Sequence, residues 1–333
     1  MFLISLTSER APAFSAAPQK NAFCPKNSFN CASRFVINGP MGYDIRTTIE
    51  SDKCTGCGKC IAVCPYEALE LVNGKALVTG AKSMHCGQCV ATCPENAVHV
   101  PDIDVPLLQG EYNAETTALF DAVTHRRSCR NYRSAELTRT EFEDLITFGK
   151  WAPSGTNAQK WEFTVAPTRA AVEVFAEAIS QFYRKLNRQA ENPFLRLVSK
   201  MFMNDVLGKY HARYYTQVAD SLKRWDEERT DLLFHGATGA IIVSMRPGAS
   251  CAHDDALLAA QNICLGAHTM GIGTCLIGFA VEAMKRDARI AKTVGIPANE
   301  TVYAVIAVGR PKYTYPNPSG RFPKAARFFN VQE

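Results

Sequence analysis

The 333-residue chain has no apolar run long enough to cross a bilayer, which takes roughly 18 consecutive apolar residues or more. Its most apolar long stretch, residues 256–270, is interrupted by Gln261, Asn262 and His268 and reads as a buried helix. No membrane partner is expected. Basic runs are also missing, and a net charge of +5 is too mild to argue for nucleic acid. The apolar opening, Met1 to Leu6, has no basic residue ahead of it and is too short for a secretory signal. With no export signal a cytoplasmic setting is expected. Thirteen cysteines there do not read as a disulfide framework. What remains is a chain of 47% hydrophobic and 21% charged residues, ordinary for a globular protein of about two domains.

Residues 1–40 are rich in Ala, Ser, Asn and Pro and show no hydrophobic periodicity. They are expected to be a disordered extension, with Met41 as an alternative start and an organellar presequence as a weaker option. Charge divides the rest unevenly. Residues 41–105 hold five basic and eight acidic side chains, and residues 106–333 carry a net +5.

Seven of the thirteen cysteines fall between Cys54 and Cys93. Residues 54–65 read C-x2-C-x2-C-x3-C-P, and a shift of 29 repeats the pattern. Cys57 maps to Cys86, Cys60 to Cys89, Cys64 to Cys93 and Pro65 to Pro94, while Ala68, Leu69 and Leu71 map to Ala97, Val98 and Val100. A short repeat carrying both ligands and a hydrophobic pattern means two copies of one unit packed together. A structural zinc site has no use for the third cysteines or the C-P ends.

Residues 44–103 resemble the bacterial two-cluster ferredoxin. In that arrangement three closely spaced cysteines hold one cubane, and the cysteine before proline reaches across to the other. The resemblance implies that Cys54, Cys57, Cys60 and Cys93 hold one cluster, while Cys64, Cys86 and Cys89 hold part of a second. The repeat calls for cysteine at position 83, where the chain has Ser83. Hard oxygen ligands suit such clusters poorly. The second site is therefore a four-iron cluster completed by Ser83, His85, water or a remote cysteine, or else a three-iron cluster.

Residues 106–114 read as a linker, with helical pattern resuming near Ala114. Thr138-x-x-Glu141 is a capping box that opens a helix bearing Phe142, Leu145, Ile146 and Phe148. Strand-like runs follow at 162–165, 240–245, 274–277 and 302–308, with helical segments near 169–186, 194–233 and 254–270. The interleaving predicts an α+β fold, a small sheet with helices on both sides. Cys129, Cys251, Cys264 and Cys275 read as core or loop thiols, and Asp255, Gln261 and Asn262 as structural helix residues.

Five motifs in order carry a second resemblance. They are R-R-S-x-R-x-Y from Arg126, W-A-P-S-x-x-N-x-Q-x-W from Trp151, D-x5-Q-N from Asp255, G-I-G-T-C-L-I-G from Gly271, and a strand ending A-V-G-R-P. Over residues 115–333 the chain resembles the nitroreductase family, whose members are homodimers with FMN at the subunit interface. The resemblance implies that Arg126, Arg127, Ser128 and Arg130 hold the FMN phosphate and ribityl chain, as guanidinium groups suit phosphate. Pro153, Ser154, Gly155 and Asn157 would reach the flavin from the partner subunit. Ile277 and Gly278 would offer backbone N–H groups near the ring, and Arg321, with Lys324 as a lesser candidate, a last basic contact. The family's polar contact ahead of the second strand has no obvious counterpart, since a helix ending at Leu232-Leu233-Phe234 offers only Arg229 or Thr230. Residues 181–229, rich in aromatics and methionine, are expected to cover the flavin or to pack on the body of the protein.

In that family the flavin does the chemistry and the protein positions it, so no catalytic acid or base is named. A fused ferredoxin implies a path from a ferredoxin or other low-potential donor through the clusters to FMN and on to a small organic acceptor such as a nitroaromatic or quinone. The alternatives are electron transfer to a protein partner, and a nitro or flavin reductase driven directly by NAD(P)H.

Overall fold

The computed structural model describes residues 47–79, 83, 86–100, 108 and 110–329. The expectations for residues 1–40 and for His85 lie outside the described residues.

The cysteine-rich module contains, in chain order, β1 (Thr48–Ile49), α1 (Lys59–Ala62), β2 (Leu69–Val72), β3 (Lys75–Val78), α2 (Gln88–Thr92) and β4 (Val98–His99). β1 pairs antiparallel with β4, and β2 with β3. The sequence repeat is also a structural one. Gly58 and Gly87 both take left-handed backbone, φ 71° and 67°, directly ahead of α1 and α2, a conformation glycine adopts without a Cβ penalty. Ala68 N–H donates to Cys64 Sγ at 3.4 Å, and its counterpart Ala97 N–H donates to Cys93 Sγ at 3.3 Å. Cys60, Leu69, Ala76, Cys93, Ala97 and Val98 share one small core.

The larger part begins with α3 (Ala114–His125), capped by the Asn113 side chain, and α4 (Arg139–Lys150). The Thr138–Glu141 capping box is formed in both directions. A short 3-10 turn at Gly155–Asn157 leads to β5 (Trp161–Ala166), then α5 (Arg169–Glu191), α6 (Pro193–Phe202), α7 (Val206–Arg213) and α8 (Tyr215–Glu228). β6 (Gly239–Met245), α9 (Ala252–Thr269), β7 (Gly273–Leu276), α10 (Gly278–Arg286), α11 (Ala288–Thr293) and β8 (Thr301–Gly309) complete it.

The four strands form an antiparallel sheet in the order β5-β6-β8-β7. β6 is buried along its whole length, and its side chains alternate between two cores. Ala240 and Ile242 face one core with Phe175, Ile179 and Met284, whereas Ile241, Val243 and Met245 face the other with Leu145, Ala259 and Ile263. Val243 pairs with Ala304 and Ser244 with Val302, so Tyr303 is an extra residue in β8 and the side-chain parity flips there. Helices thus cover both faces, as the interleaved pattern implies.

Two expectations need correction. The helical segment read at 194–233 is three helices that end at Glu228. Asp205, ahead of α7, and Arg229, after α8, take left-handed backbone, and Tyr214 separates α7 from α8. Leu232, Leu233 and Phe234 lie in a loop held by Asp231, whose carboxylate accepts from the Leu233, Phe234 and Gly236 N–H groups. The helices α10 and α11 were not foreseen between β7 and β8. Their signal was present, since Ala280, Val281, Ala283 and Met284 are spaced for one buried helical face. Among the described residues no helix is long and apolar enough to cross a membrane.

Candidate functional site

Two pockets in the cysteine-rich module sort the ligand candidates. Cys54, Cys57, Cys60 and Cys93 line one, and Cys64, Ser83, Cys86 and Cys89 line the other. Ser83 therefore stands with the three cysteines of the second pocket. All seven cysteines are free thiols. Burial pushes the Cys60 thiol up to about 11 and the Cys89 thiol up to about 12. Both are neutral unless iron displaces the proton, which is how metal binding couples to thiol ionisation. Among the described residues no group of three or more His, Cys, Asp or Glu side chains could hold one metal ion. Sulfurs spread around a cavity suit a cluster in which each cysteine takes a separate iron. Backbone N–H groups already point at Cys54, Cys64 and Cys93 Sγ, the kind of contact that tunes cluster potential.

The arginine run lies between β7 and the chain after β8. Ser128 bridges Thr274, Cys129 N–H donates to the Thr274 carbonyl at 2.8 Å, and Lys312 N–H donates to the Asn131 carbonyl at 2.9 Å. Here Arg126, Arg127 and Arg130 are half-buried, and Arg321 is brought to the group by a shared serine. Arg127 donates to Ser319 Oγ and to the Thr124 carbonyl, and Arg321 donates to the same Ser319 Oγ at 2.9 Å. Burial, then the charges of Arg321 and Arg126, pull Arg127 down to about 10. Among the described residues none of these four arginines has a carboxylate within ion-pair distance, although Arg169, Arg184, Arg224, Arg246 and Arg310 all do. The Nε of Arg127 and the Nη1 of Arg130 are buried with no partner. Buried polar groups are normally satisfied, so these donors fit an anion that several guanidinium groups share. Lys324 lies on the exposed tail.

The Pro153–Asn157 loop packs elsewhere. Gly155 N–H donates to Asp255 Oδ1 at 2.9 Å, and a Cβ on Gly155 would stand 2.6 Å from Ser250 Oγ. Thr156 and Asn157 both take left-handed backbone, and Asn157 Oδ1 accepts from Gln159 Nε2. Among the described residues no hydrogen bond joins this loop to the arginine run. Asp255 has the structural role read from sequence, fixing the loop from the first turn of α9.

Ile277 departs from expectation. Its N–H donates to the Val305 carbonyl at 2.8 Å and is spent on the sheet. Gly278 is exposed and opens α10, where a backbone N–H has no intrahelical partner. Over this point lies part of the 181–229 segment. Tyr183 OH donates to the Phe279 carbonyl at 2.8 Å, and the Phe279 ring meets Tyr183 and Tyr214 edge-on. Tyr183 and Trp225 are buried in the body, whereas Met201 and Met203 are exposed. Sequence reasoning missed Ser319, Tyr315 and Asn317, because a Pro- and Gly-bearing tail after the last strand has no periodicity to read.

Residues 123–310 match the profile of the nitroreductase family. The chain belongs to the nitroreductase family. Residues 46–98 match the 4Fe-4S dicluster domain. Ferredoxin-2 of Desulfomicrobium norvegicum is 57% identical over 37 residues, 11% of this chain. The chain spans only 59% of the length of that ferredoxin. A protein of Archaeoglobus fulgidus that bears the name NADH dehydrogenase/NAD(P)H nitroreductase is 23% identical over 187 residues, 56% of this chain and 82% of the relative. Among solved structures, a nitroreductase with bound FMN from Bacteroides fragilis aligns with a TM-score of 0.45 and 20% identity, covering 67% of this chain and all of that one.

Proposed function

We propose that the protein is an FMN-dependent iron–sulfur oxidoreductase, passing electrons from a low-potential donor through two clusters to FMN and on to a small organic acceptor. The observation that carries the reading is the set of arginines that have no carboxylate partner among the described residues, with buried unpartnered N–H groups on Arg127 and Arg130. Arg126, Arg127, Arg130 and Arg321 would hold the FMN phosphate, with Ser128 beside them, and Gly278 would present a backbone N–H to the ring. Bound FMN supplies the exchange between single electrons and electron pairs, which joins one-electron clusters to a two-electron acceptor. Cys54, Cys57, Cys60 and Cys93 would hold the first cluster and Cys64, Cys86 and Cys89 the second, whose fourth ligand and iron count stay open at Ser83. Aromatic side chains around Phe279 favour a flat acceptor such as a nitroaromatic or a quinone.

The functional modules are residues 41–105 and 115–333, working in a homodimer in a reducing cytoplasm. Two observations support a second copy. Among the described residues no hydrogen bond joins the Pro153–Asn157 loop to the arginine run, and Trp151, Phe194, Phe202, Phe328 and Phe329 are exposed apolar side chains. The test is anaerobic purification with iron, sulfide and FMN counts, then an acceptor screen comparing reduced ferredoxin with NADH. Protein that takes up no FMN from solution would overturn the reading. Turnover with NADH alone, unaffected by loss of the clusters, would replace it with a direct NAD(P)H reductase.

A further inference from the structure

Residues 314–321 follow β8 and bind the cysteine-rich module closely. The Thr314 carbonyl accepts from Thr92 Oγ1 at 3.2 Å, and Tyr315 OH donates to Gln88 Oε1 at 3.0 Å. Asn317 N–H donates to the Ala91 carbonyl at 3.2 Å, and its Nδ2 donates to the Cys93 carbonyl at 2.9 Å. Four hydrogen bonds therefore clasp α2 and its end. Ser319, buried at 3% exposure, then meets both sides. Its Oγ takes Arg127 and Arg321. Its carbonyl oxygen lies where a Cβ on Gly87 would be only 2.6 Å away. Gly87 adjoins Cys86, so one serine spans the gap between the second cysteine-lined pocket and the guanidinium group. Of the first pocket the tail meets Cys93, which follows α2, through its carbonyl, while the Cys54–Cys60 loop makes its close contacts within the module. Gly56 packs on Gly74 of its own hairpin, and Lys75 Nζ donates to the Cys54 carbonyl at 2.6 Å.

We infer that residues 314–321 are an electron port, a strap that holds the second cluster, rather than the first, against the FMN phosphate anchor and ties flavin occupancy to the position of that cluster. The inference rests on the FMN and cluster reading above. Bound clusters would supply single electrons taken from a low-potential donor beside the exposed Cys57, and two such electrons with two protons from solvent would reduce a bound flavin. Tyr315, Asn317 and Ser319 act as positioning residues, because tunnelling falls steeply with distance. Coupling between two sites is reciprocal. Flavin bound on Arg127 and Arg321 should therefore steady α2 through Ser319.

The test compares wild type with Tyr315→Phe/Asn317→Ala, both cluster-loaded, by amide hydrogen exchange at residues 88–93 with and without added FMN. FMN should slow exchange there in the wild type. The double variant, which lacks two side-chain hydrogen bonds, should exchange about tenfold faster and lose most of the FMN effect. Its iron content and its direct flavin reduction by dithionite should stay at the wild-type level, while reduction by reduced ferredoxin slows. Identical exchange at 88–93 in the wild type with and without FMN would overturn the strap, even if the variant misfolds. Failure of the underlying reading looks different, as FMN would then not bind at all in the titration that precedes exchange.

Discussion

Replacing Arg127 with methionine separates an arginine that supports the fold from one that serves an anion. Burial and two neighbouring guanidinium charges pull Arg127 from the ordinary arginine value down to about 10. A base whose pKa falls on folding weakens the fold while charged. That cost is present in full at neutral pH, and stability recovers only as pH rises through about 10. The side chain is partly open to solvent, so after discounting for screening the cost is about 1–2 kcal/mol. Arg127→Met removes this cost together with the bonds to Ser319 Oγ and the Thr124 carbonyl, each worth about 0.5–1.5 kcal/mol. The effects nearly cancel. Flavin-free, cluster-loaded Arg127→Met should unfold in urea within about 1 kcal/mol of wild type. FMN affinity, read by flavin fluorescence, should fall about 10- to 150-fold, the value of one charge-assisted contact. Arg169→Met is the control. Arg169 pairs at 2.6 Å with Asp231, whose side chain is 2% exposed, and stranding that carboxylate should cost about 3–5 kcal/mol while leaving FMN affinity alone. Arg127→Met that loses as much stability as the control, and keeps its FMN affinity, would refute the anchor.

Ser83→Cys should complete a four-thiolate set in the second pocket and give a second conventional four-iron EPR signal. About eight irons and two unaltered signals in both wild type and variant would show that position 83 does not matter. Cys57→Ala should lose the first cluster's iron, abolish flavin reduction by reduced ferredoxin and spare any direct reduction by NADH; equal loss of both would mean that the fold has collapsed. Tyr183→Phe, which removes the bond to the Phe279 carbonyl, should cost about 1 kcal/mol in thermal unfolding and raise the KM for the acceptor. An unchanged KM would exclude this helical segment from covering the site.

Much of this architecture was legible because it is written in short periods. The ligand spacing and the 29-residue offset need only local geometry, and the capping box at Thr138 and Glu141 is formed as read. Buried strands with uniform apolar character, such as Gly239–Met245, were also plain. What escaped depends on neighbours distant in sequence. The Ile277 N–H looked available until β8 supplied the Val305 carbonyl. The 194–233 segment reads as one helical run because its first break, at Asp205, and its end, at Arg229, fall on residues that enter left-handed backbone without announcing it as glycine does, and Tyr214 at the second break carries no signal. Ser319 gave no signal at all. Its importance comes from two arginines, one of them 192 positions upstream.

The same comparison explains how a symmetric repeat acquires a direction. Duplication gives Gly58 and Gly87 the same backbone, Cys64 and Cys93 the same N–H contacts, and the two pockets corresponding cysteines except at Ser83. Nothing inside the module says which half should face the flavin. The asymmetry comes from outside, where the tail after β8 clasps α2 and, among the described residues, makes no hydrogen bond to α1. Gly87 permits this, because any side chain there would meet the Ser319 carbonyl in a backbone conformation already costly for L-residues. Gly58, its equivalent, has nothing within 4 Å of the place a Cβ would occupy. Both glycines serve the turn, but only one also serves the contact. Alanine at either position bears the same left-handed strain, so the extra loss at Gly87→Ala over Gly58→Ala measures the Ser319 contact alone. Equal losses in urea unfolding would mean that the tail merely lies against the module.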